Sequence, residues 1–201
     1  MNKEKIDCAI SYLSNDSKIK SLIEKYDKPD FNTPDYPFKS LIKYIIYQQL
    51  SLQSAKAIYV RFLDIFNNNP QPIDVSSTDT SIFKSIGLSK QKIKYINEIT
   101  DYFLSNEISF FELSNKEVYD KLISIKGIGP WTIDMFLIFT LHRTDVMPIG
   151  DLGIKKGFKI LYDLEKLPTD KFMLEESRRW APYQSIVSIY LWKIVDDGAV
   201  F

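Results

Sequence analysis

Residues 122–158 read LISIKGIGPWTIDMFLIFTLHRTDVMPIGDLGIKKGF. The stretch opens with helical spacing, breaks at Lys126-Gly127-Ile128-Gly129-Pro130, resumes as an apolar helix from Trp131, and meets Asp151 after a loop. Two helices joined by a hairpin with glycine at alternate positions suit one task. Glycine permits positive φ and close backbone approach, so successive N–H groups can point outward into an anion-binding concavity. The start of the second helix adds unpaired N–H groups and a positive dipole end. A plain αα-corner is the competing reading of the two glycines. Ile125 and Ile128 as core anchors, and Thr132 as a hydroxyl donor in the first turn of the second helix, favour a phosphate clamp.

Outward from this stretch the chain is helical. No long alternating runs appear, so the expectation is an all-α fold. Helices are predicted at about Lys3–Leu13, from Asp16, at Pro37–Gln48, from Ser51 to Phe66, at Thr80–Ile86 and from Ser89 to about Leu104. Beyond Asp151 they are predicted to about Tyr162, at about Asp170–Trp180 and at about Tyr183–Val195. Ser51, Ser89 and Ser114 or Asn115 are natural N-caps, and Gly87 a C-cap. Lys28–Pro37 holds three prolines and reads as a linker, and Asn67–Pro72 as a turn-rich loop. About ten short helices result.

Composition narrows the function classes. The 201 residues are 45% hydrophobic and 14% aromatic, enough for a sizeable core. The one cysteine, Cys8, rules out a disulfide framework and a four-thiolate Fe–S cluster. Met1–Asp7 is largely charged and unlike a signal peptide, and the apolar run around Met135–Leu141 is too short for a bilayer. An intracellular protein without membrane contact is expected, in cytoplasm or nucleoid, or in the nucleus of a eukaryote. With 26 basic and 26 acidic residues the net charge is zero, so any nucleic-acid contact must rest on local geometry. Lys155, Lys156 and Lys159 read as a solvated helix face, and His142 carries no assignment.

Asp151 reads first as the N-cap of the helix after it. The two roles are compatible, since a carboxylate at this place could also serve N-glycosidic cleavage, where its charge stabilises an oxocarbenium-like transition state.

Several segments together resemble a known family. They are Ile46-Tyr47-Gln48-Gln49-Leu50-Ser51, Gly87-Leu88-Ser89-x-x-Lys92, the pattern Leu-x-x-Ile-x-Gly-Ile-Gly-x-Trp-Thr at the hairpin, Asp151, and Trp180-Ala181-Pro182-Tyr183 through Trp192. In order and approximate spacing they are similar to the helix-hairpin-helix (HhH-GPD) superfamily of DNA glycosylases. Within it they are most similar to the alkyladenine branch of 3-methyladenine DNA glycosylase II and its short relatives. The likeness covers about Phe38–Trp192. It implies one bilobed domain over residues 1–201, with a central lobe at about 37–140 and a second from about 1–36 plus 141–201. The N-terminal β domain of the larger relatives is not expected here.

The resemblance also implies roles. Asp151 matches the catalytic aspartate. Gly127 and Gly129 match the glycines whose amides hold a DNA phosphate. Leu50 matches the wedge that fills the gap of a flipped nucleotide, with Gln49 and Ser51 touching DNA beside it. In relatives, hairpin carbonyls, here those of Ile123, Ile125 and Ile128, hold a structural monovalent cation (Na+ or K+), and no other cofactor is implied. Trp131 fills the slot where the strand-cutting branch carries a Schiff-base lysine, so water-only hydrolysis without a lyase step is expected. Trp131, Trp192 and Tyr47 are the base-pocket candidates, since a tryptophan face attracts a cationic alkylated purine by roughly 0.5–2 kcal/mol. The implied activity is excision of alkylated purines from double-stranded DNA by base flipping, in base excision repair, by a monomer. Two alternatives stay open: a DNA-damage or structure-binding protein without turnover, and a glycosylase of this fold for deaminated purines. Gln184, Gly150 and Met135 depart from the family pattern.

Overall fold

The structure is a computed structural model that describes residues 3–31 and 36–196. Every regular element among them is a helix. In chain order the α-helices are α1 (Lys3–Leu13), α2 (Ser17–Lys25), α3 (Pro37–Tyr47), α4 (Leu52–Ile65), α5 (Pro72–Ser77), α6 (Thr80–Ser85), α7 (Lys90–Ser105), α8 (Asn115–Leu122), α9 (Pro130–Met135), α10 (Leu152–Leu161), α11 (Asp170–Ser177) and α12 (Gln184–Val195). The expected linker over Lys28–Pro37 lies partly outside the described residues, at 32–35. The chain divides into two compact units, Asp35–Phe136, and Met1–Pro34 with Leu137–Phe201.

The unit of residues 35–136 is built on α3 and α7. α3 turns Phe38, Leu41, Ile42, Ile45 and Ile46 inward at helical spacing, all fully buried. α7 answers with Ile93, Ile96 and Ile99. The Ser51 and Ser89 hydroxyls cap α4 and α7 by accepting from Ser54 and Lys92 amides. Gly87, at φ +100, ends the segment after α6, as a C-terminal glycine should. Phe62 and Phe83 stack with centroids 5.9 Å apart.

The other unit packs α10 on α12. α12 is buried from Ser185 to Trp192. Trp180 is fully buried and donates its indole N–H to Asp16, the N-cap of α2, at 3.1 Å.

Three elements differ from the sequence expectation. Pro72 starts a helix, α5, because proline fits the first helical position, where its missing N–H costs nothing. The helix expected to run to Trp180 tightens into a 3-10 turn at Arg178–Trp180. The helix from the hairpin is α only through Met135, and a π-helical turn, Phe136–Thr140, follows it.

Candidate active site and DNA-binding hairpin

The hairpin is shaped before it is reached. Ser114 and Glu117 form a reciprocal capping box at the start of α8. After Leu122 the chain turns through Ile125 N–H to Leu122 O (3.0 Å) and Ile128 N–H to Ile125 O (3.1 Å). Ile125 and Ile128 are both 5% exposed, so they anchor the turn as expected. Pro130 then opens α9 at its first position.

The two hairpin glycines have different reasons to be there. Gly127 sits at φ +98, and a Cβ on it would lie 2.2 Å from Cγ of Tyr95. Both conformation and space demand glycine. Gly129 has φ −112 and ψ 176, an ordinary extended conformation, and a Cβ on it would meet nothing within 4 Å. Its missing side chain leaves open space. Among the described residues, no acceptor in the chain takes the N–H of Gly127 or of Gly129. Two amide donors, with Ile128 between them, are therefore left for an external acceptor.

The segment after α3 is tied to this hairpin. The Gln48 side-chain amide donates to the Gly127 carbonyl (3.1 Å) and to the Thr132 hydroxyl (3.0 Å). Thr132 is 1% exposed, so its hydroxyl belongs to this internal network. Lys92 reaches the same segment from α7 and donates to the carbonyls of Ile46 (2.6 Å) and Gln48 (2.9 Å). Burial holds the Lys92 ammonium below its ordinary pKa. Gln49 follows at φ +56, an uncommon conformation for a residue with a side chain. It is succeeded by the exposed Leu50 and by Ser51. Tyr47 is half-buried and edge-on to Tyr59, and burial raises its phenol pKa. Trp131 is half-buried, and Met135 is buried.

In the other unit Asp151 caps α10. Its Oδ1 accepts from the Ile154 amide at 2.8 Å, and the same oxygen accepts from the Trp192 indole N–H at 2.8 Å. Trp192 is 2% exposed, and its ring centroid lies 5.7 Å from that of Phe139. The carboxylate is thus fixed by a backbone donor from α10 and a side-chain donor from α12. Gln184 donates to Asp145 at 2.9 Å. Among the described residues, no group of three or more His, Cys, Asp or Glu could hold a metal ion. No described helix is long and apolar enough to cross a membrane.

The fold therefore joins Gln48, Gly127 and Thr132 within one unit, and Asp151 and Trp192 within the other. Sequence reading missed Gln48, Lys92 and Tyr95 as supports. Gln48 stood at a helix end beside a second glutamine, with nothing local to mark a partner 79 residues on.

A family model, the HhH-GPD superfamily of base excision DNA repair proteins, matches residues 42–182. The chain belongs to this superfamily. It is 40% identical over 163 residues to a DNA-3-methyladenine glycosylase 1 of Schizosaccharomyces pombe, covering 78% of this chain and 72% of that protein. A solved 3-methyladenine DNA glycosylase of the same yeast, in complex with abasic DNA, superposes with a TM-score of 0.87 at 36% identity, over 94% of this chain and 96% of that one. A DNA-3-methyladenine glycosidase of Bacillus halodurans gives 0.79 at 33% identity, over 92% of this chain and 87% of that one.

Proposed function

We propose that this chain is a monofunctional DNA glycosylase that removes alkylated purines of the 3-methyladenine type from double-stranded DNA. The observation that carries the reading is the Asp151 carboxylate, held by the Ile154 amide and the Trp192 indole in a base excision repair protein. The names of its relatives support the substrate class.

The chemistry asked of the protein is modest. An N-alkylated purine carries positive charge, so the bond to the sugar breaks with both electrons leaving on the base, which departs neutral. Charge develops on the sugar, and Asp151 stabilises it. Water adds its oxygen to C1′ and gives up a proton, leaving an abasic site. Trp131 stands where a nucleophilic lysine would be needed for strand cleavage, and an indole has no amine to form a Schiff base.

The remaining residues take supporting roles. The amides of Gly127 and Gly129 hold a backbone phosphate. Leu50, 40% exposed at the end of the Gln48 segment, fills the gap left by the flipped base, with Gln49 and Ser51 beside it. Trp131 and Tyr47, both half-buried, are the base-pocket aromatics; Trp192, expected with them, is 2% exposed and instead holds Asp151 through its indole N–H. The carbonyls of Ile123, Ile125 and Ile128 are the donors for a monovalent cation. They are hard oxygen ligands, and Ile125 O, which accepts from Ile128, has a second lone pair. Such a cation would add positive charge beside the phosphate.

The test is base release from DNA carrying methylated adenine, with methylated, deaminated and ethenoadducted purines in parallel. Asp151→Asn should abolish release and retain DNA binding. Full activity in that variant would sink the mechanism, and release of deaminated purines alone would replace the substrate class.

A further inference from the structure

α10 contains two glycines to which the sequence reading gives no task, Gly153 and Gly157. A glycine inside a helix costs about 0.5–1 kcal/mol relative to alanine, so each needs a reason in the packing. Gly157 lets α12 come close, since a Cβ there would lie 2.6 Å from the Leu191 carbonyl oxygen. Gly153 answers to something else. Its φ lies outside the left-handed region, so the backbone does not require glycine. A Cβ on Gly153 would lie 2.8 Å from Trp192 Cδ1, 3.0 Å from Trp192 Nε1 and 2.9 Å from Asp151 Oδ1. These atoms include both partners of the 2.8 Å hydrogen bond between indole and carboxylate. Neither side chain yields easily: Trp192 is 2% exposed, and Asp151 is tied to the Ile154 amide.

We propose that Gly153 is a positioning residue for Asp151, its missing side chain being the space in which the Trp192 indole reaches the carboxylate. The proposal rests on the reading of Asp151 as the catalytic carboxylate. With Oδ1 held by donors from two helices, the carboxylate plane is set before substrate arrives. Any side chain at 153 pushes the indole edge away and leaves the helix cap as the remaining one of these two constraints. The charge then persists but is no longer aimed, a loss that affects the chemical step and not DNA affinity.

The experiment compares Gly153→Ala, Gly150→Ala, Trp192→Phe and the Gly153→Ala/Trp192→Phe double variant in the full chain, with Asp151→Ala as the spectral reference. Gly150→Ala is the control, because a Cβ there meets nothing within 4 Å. Three readouts are taken: single-turnover release of a methylated purine, affinity for abasic-site DNA, and the indole region of the 1H–15N spectrum. Gly153→Ala should lower the single-turnover rate by roughly tenfold to a hundredfold, the size of one lost hydrogen bond to a charged group. Abasic-site affinity should not change. The Trp192 indole resonance, identified by its disappearance in Trp192→Phe, should move to the position it takes in Asp151→Ala. Gly150→Ala should match the parent. In the Trp192→Phe background, Gly153→Ala should add no further loss, because the N–H it displaces is already gone. A parental rate in Gly153→Ala overturns the proposal, as does a slow variant whose Trp192 resonance has not moved. Should Gly153→Ala fail to fold, the double variant decides alone, and a further loss of rate there overturns the proposal. If Asp151→Asn proves fully active, the catalytic reading fails, yet the indole resonance still reports whether Gly153 positions the pair.

Discussion

On the proposed function, the hairpin and the start of α10 would meet a ligand by opposite means. At the hairpin the proposed working groups are the main-chain amides of Gly127 and Gly129, which no backbone carbonyl takes among the described residues, and the side chains around them hold the backbone still. Tyr95 lies under Gly127, Gln48 grips its carbonyl, and Ile125 and Ile128 fasten the turn to the core. At α10 the proposed working group is one carboxylate, supported by the Ile154 amide and by the Trp192 indole, both donating to the same oxygen. A backbone-built site takes its chemistry from no single side chain, but it fails if its turn is distorted or loses a support. A side-chain site tolerates distortion nearby but fails when one atom pair changes. Binding should therefore be sensitive at the first region and turnover at the second.

The largest expected effect tests that separation directly. Asp151→Asn keeps the size of the side chain and an oxygen able to accept from Ile154 and Trp192, so the local fold survives. The negative charge is gone, and the single-turnover rate should fall by roughly a thousandfold or more, beyond the loss of one preorganised electrostatic contact. Abasic-site affinity, measured by fluorescence anisotropy, should stay at the parental value. A matching fall in affinity would mean that the two regions do not divide the work.

The hairpin should give the reverse pattern, and its glycines should differ from each other. Gly127→Ala forces a side chain into φ +98 and onto the Tyr95 ring. The conformation alone costs roughly 1–2 kcal/mol, and the overlap brings the loss of stability to about 2–4 kcal/mol. DNA affinity should fall with it. Gly129→Ala has neither problem, and its stability should stay within about 0.5 kcal/mol of the parent. Its added methyl occupies the space a phosphate would approach, so affinity alone should fall. Equal destabilisation by the two variants in urea denaturation would show that the two glycines are held for the same reason.

Gln48→Leu sharpens the same side with a smaller effect. It leaves the Thr132 hydroxyl, 1% exposed, and the Gly127 carbonyl without the donor they now share. An unmet buried partner costs roughly 1–3 kcal/mol. Stability and DNA affinity should both decline, while release from saturated enzyme stays near parental. A variant with normal affinity would show that the Gln48 contact is packing alone.

What was legible in the sequence follows the same division. Local signals spoke clearly: the serine caps at 51, 89 and 114, the Asp151 cap and the hairpin turn all occur where residue type and spacing place them. Their physics spans three or four residues, which a single sequence contains. The supports were not legible. Gln48 meets Gly127 across 79 residues, Lys92 reaches Gln48 across 44, and Trp192 meets Asp151 across 41. Such pairs are set by how helices cross, and no local pattern encodes that. The sequence reading also treated the hairpin glycines as equivalent, since φ and the Tyr95 contact exist only in the folded chain. The π-helical turn at Phe136–Thr140 has no local marker in its apolar run.

The smallest expected effect is a dependence on pH upstream of the hairpin. Glu117 accepts from the Ser114 hydroxyl at 2.7 Å and from its N–H at 2.8 Å. These hydrogen bonds, with help from Lys121 and Lys116, hold its carboxyl below the ordinary value of 4.5. The folded protein therefore takes up this proton less readily than the unfolded chain. The cap's contribution is present above 4.5 and is lost as pH falls through the lower folded value. Glu117→Gln retains the reach of the side chain but cannot titrate. The parent's advantage over Glu117→Gln in urea denaturation should thus be largest near neutral pH and shrink in acid. Because the cap anchors only the entry to α8, base release at neutral pH should be the same in both proteins. A pH-independent gap between them would remove the capping box from the account of how the hairpin is held.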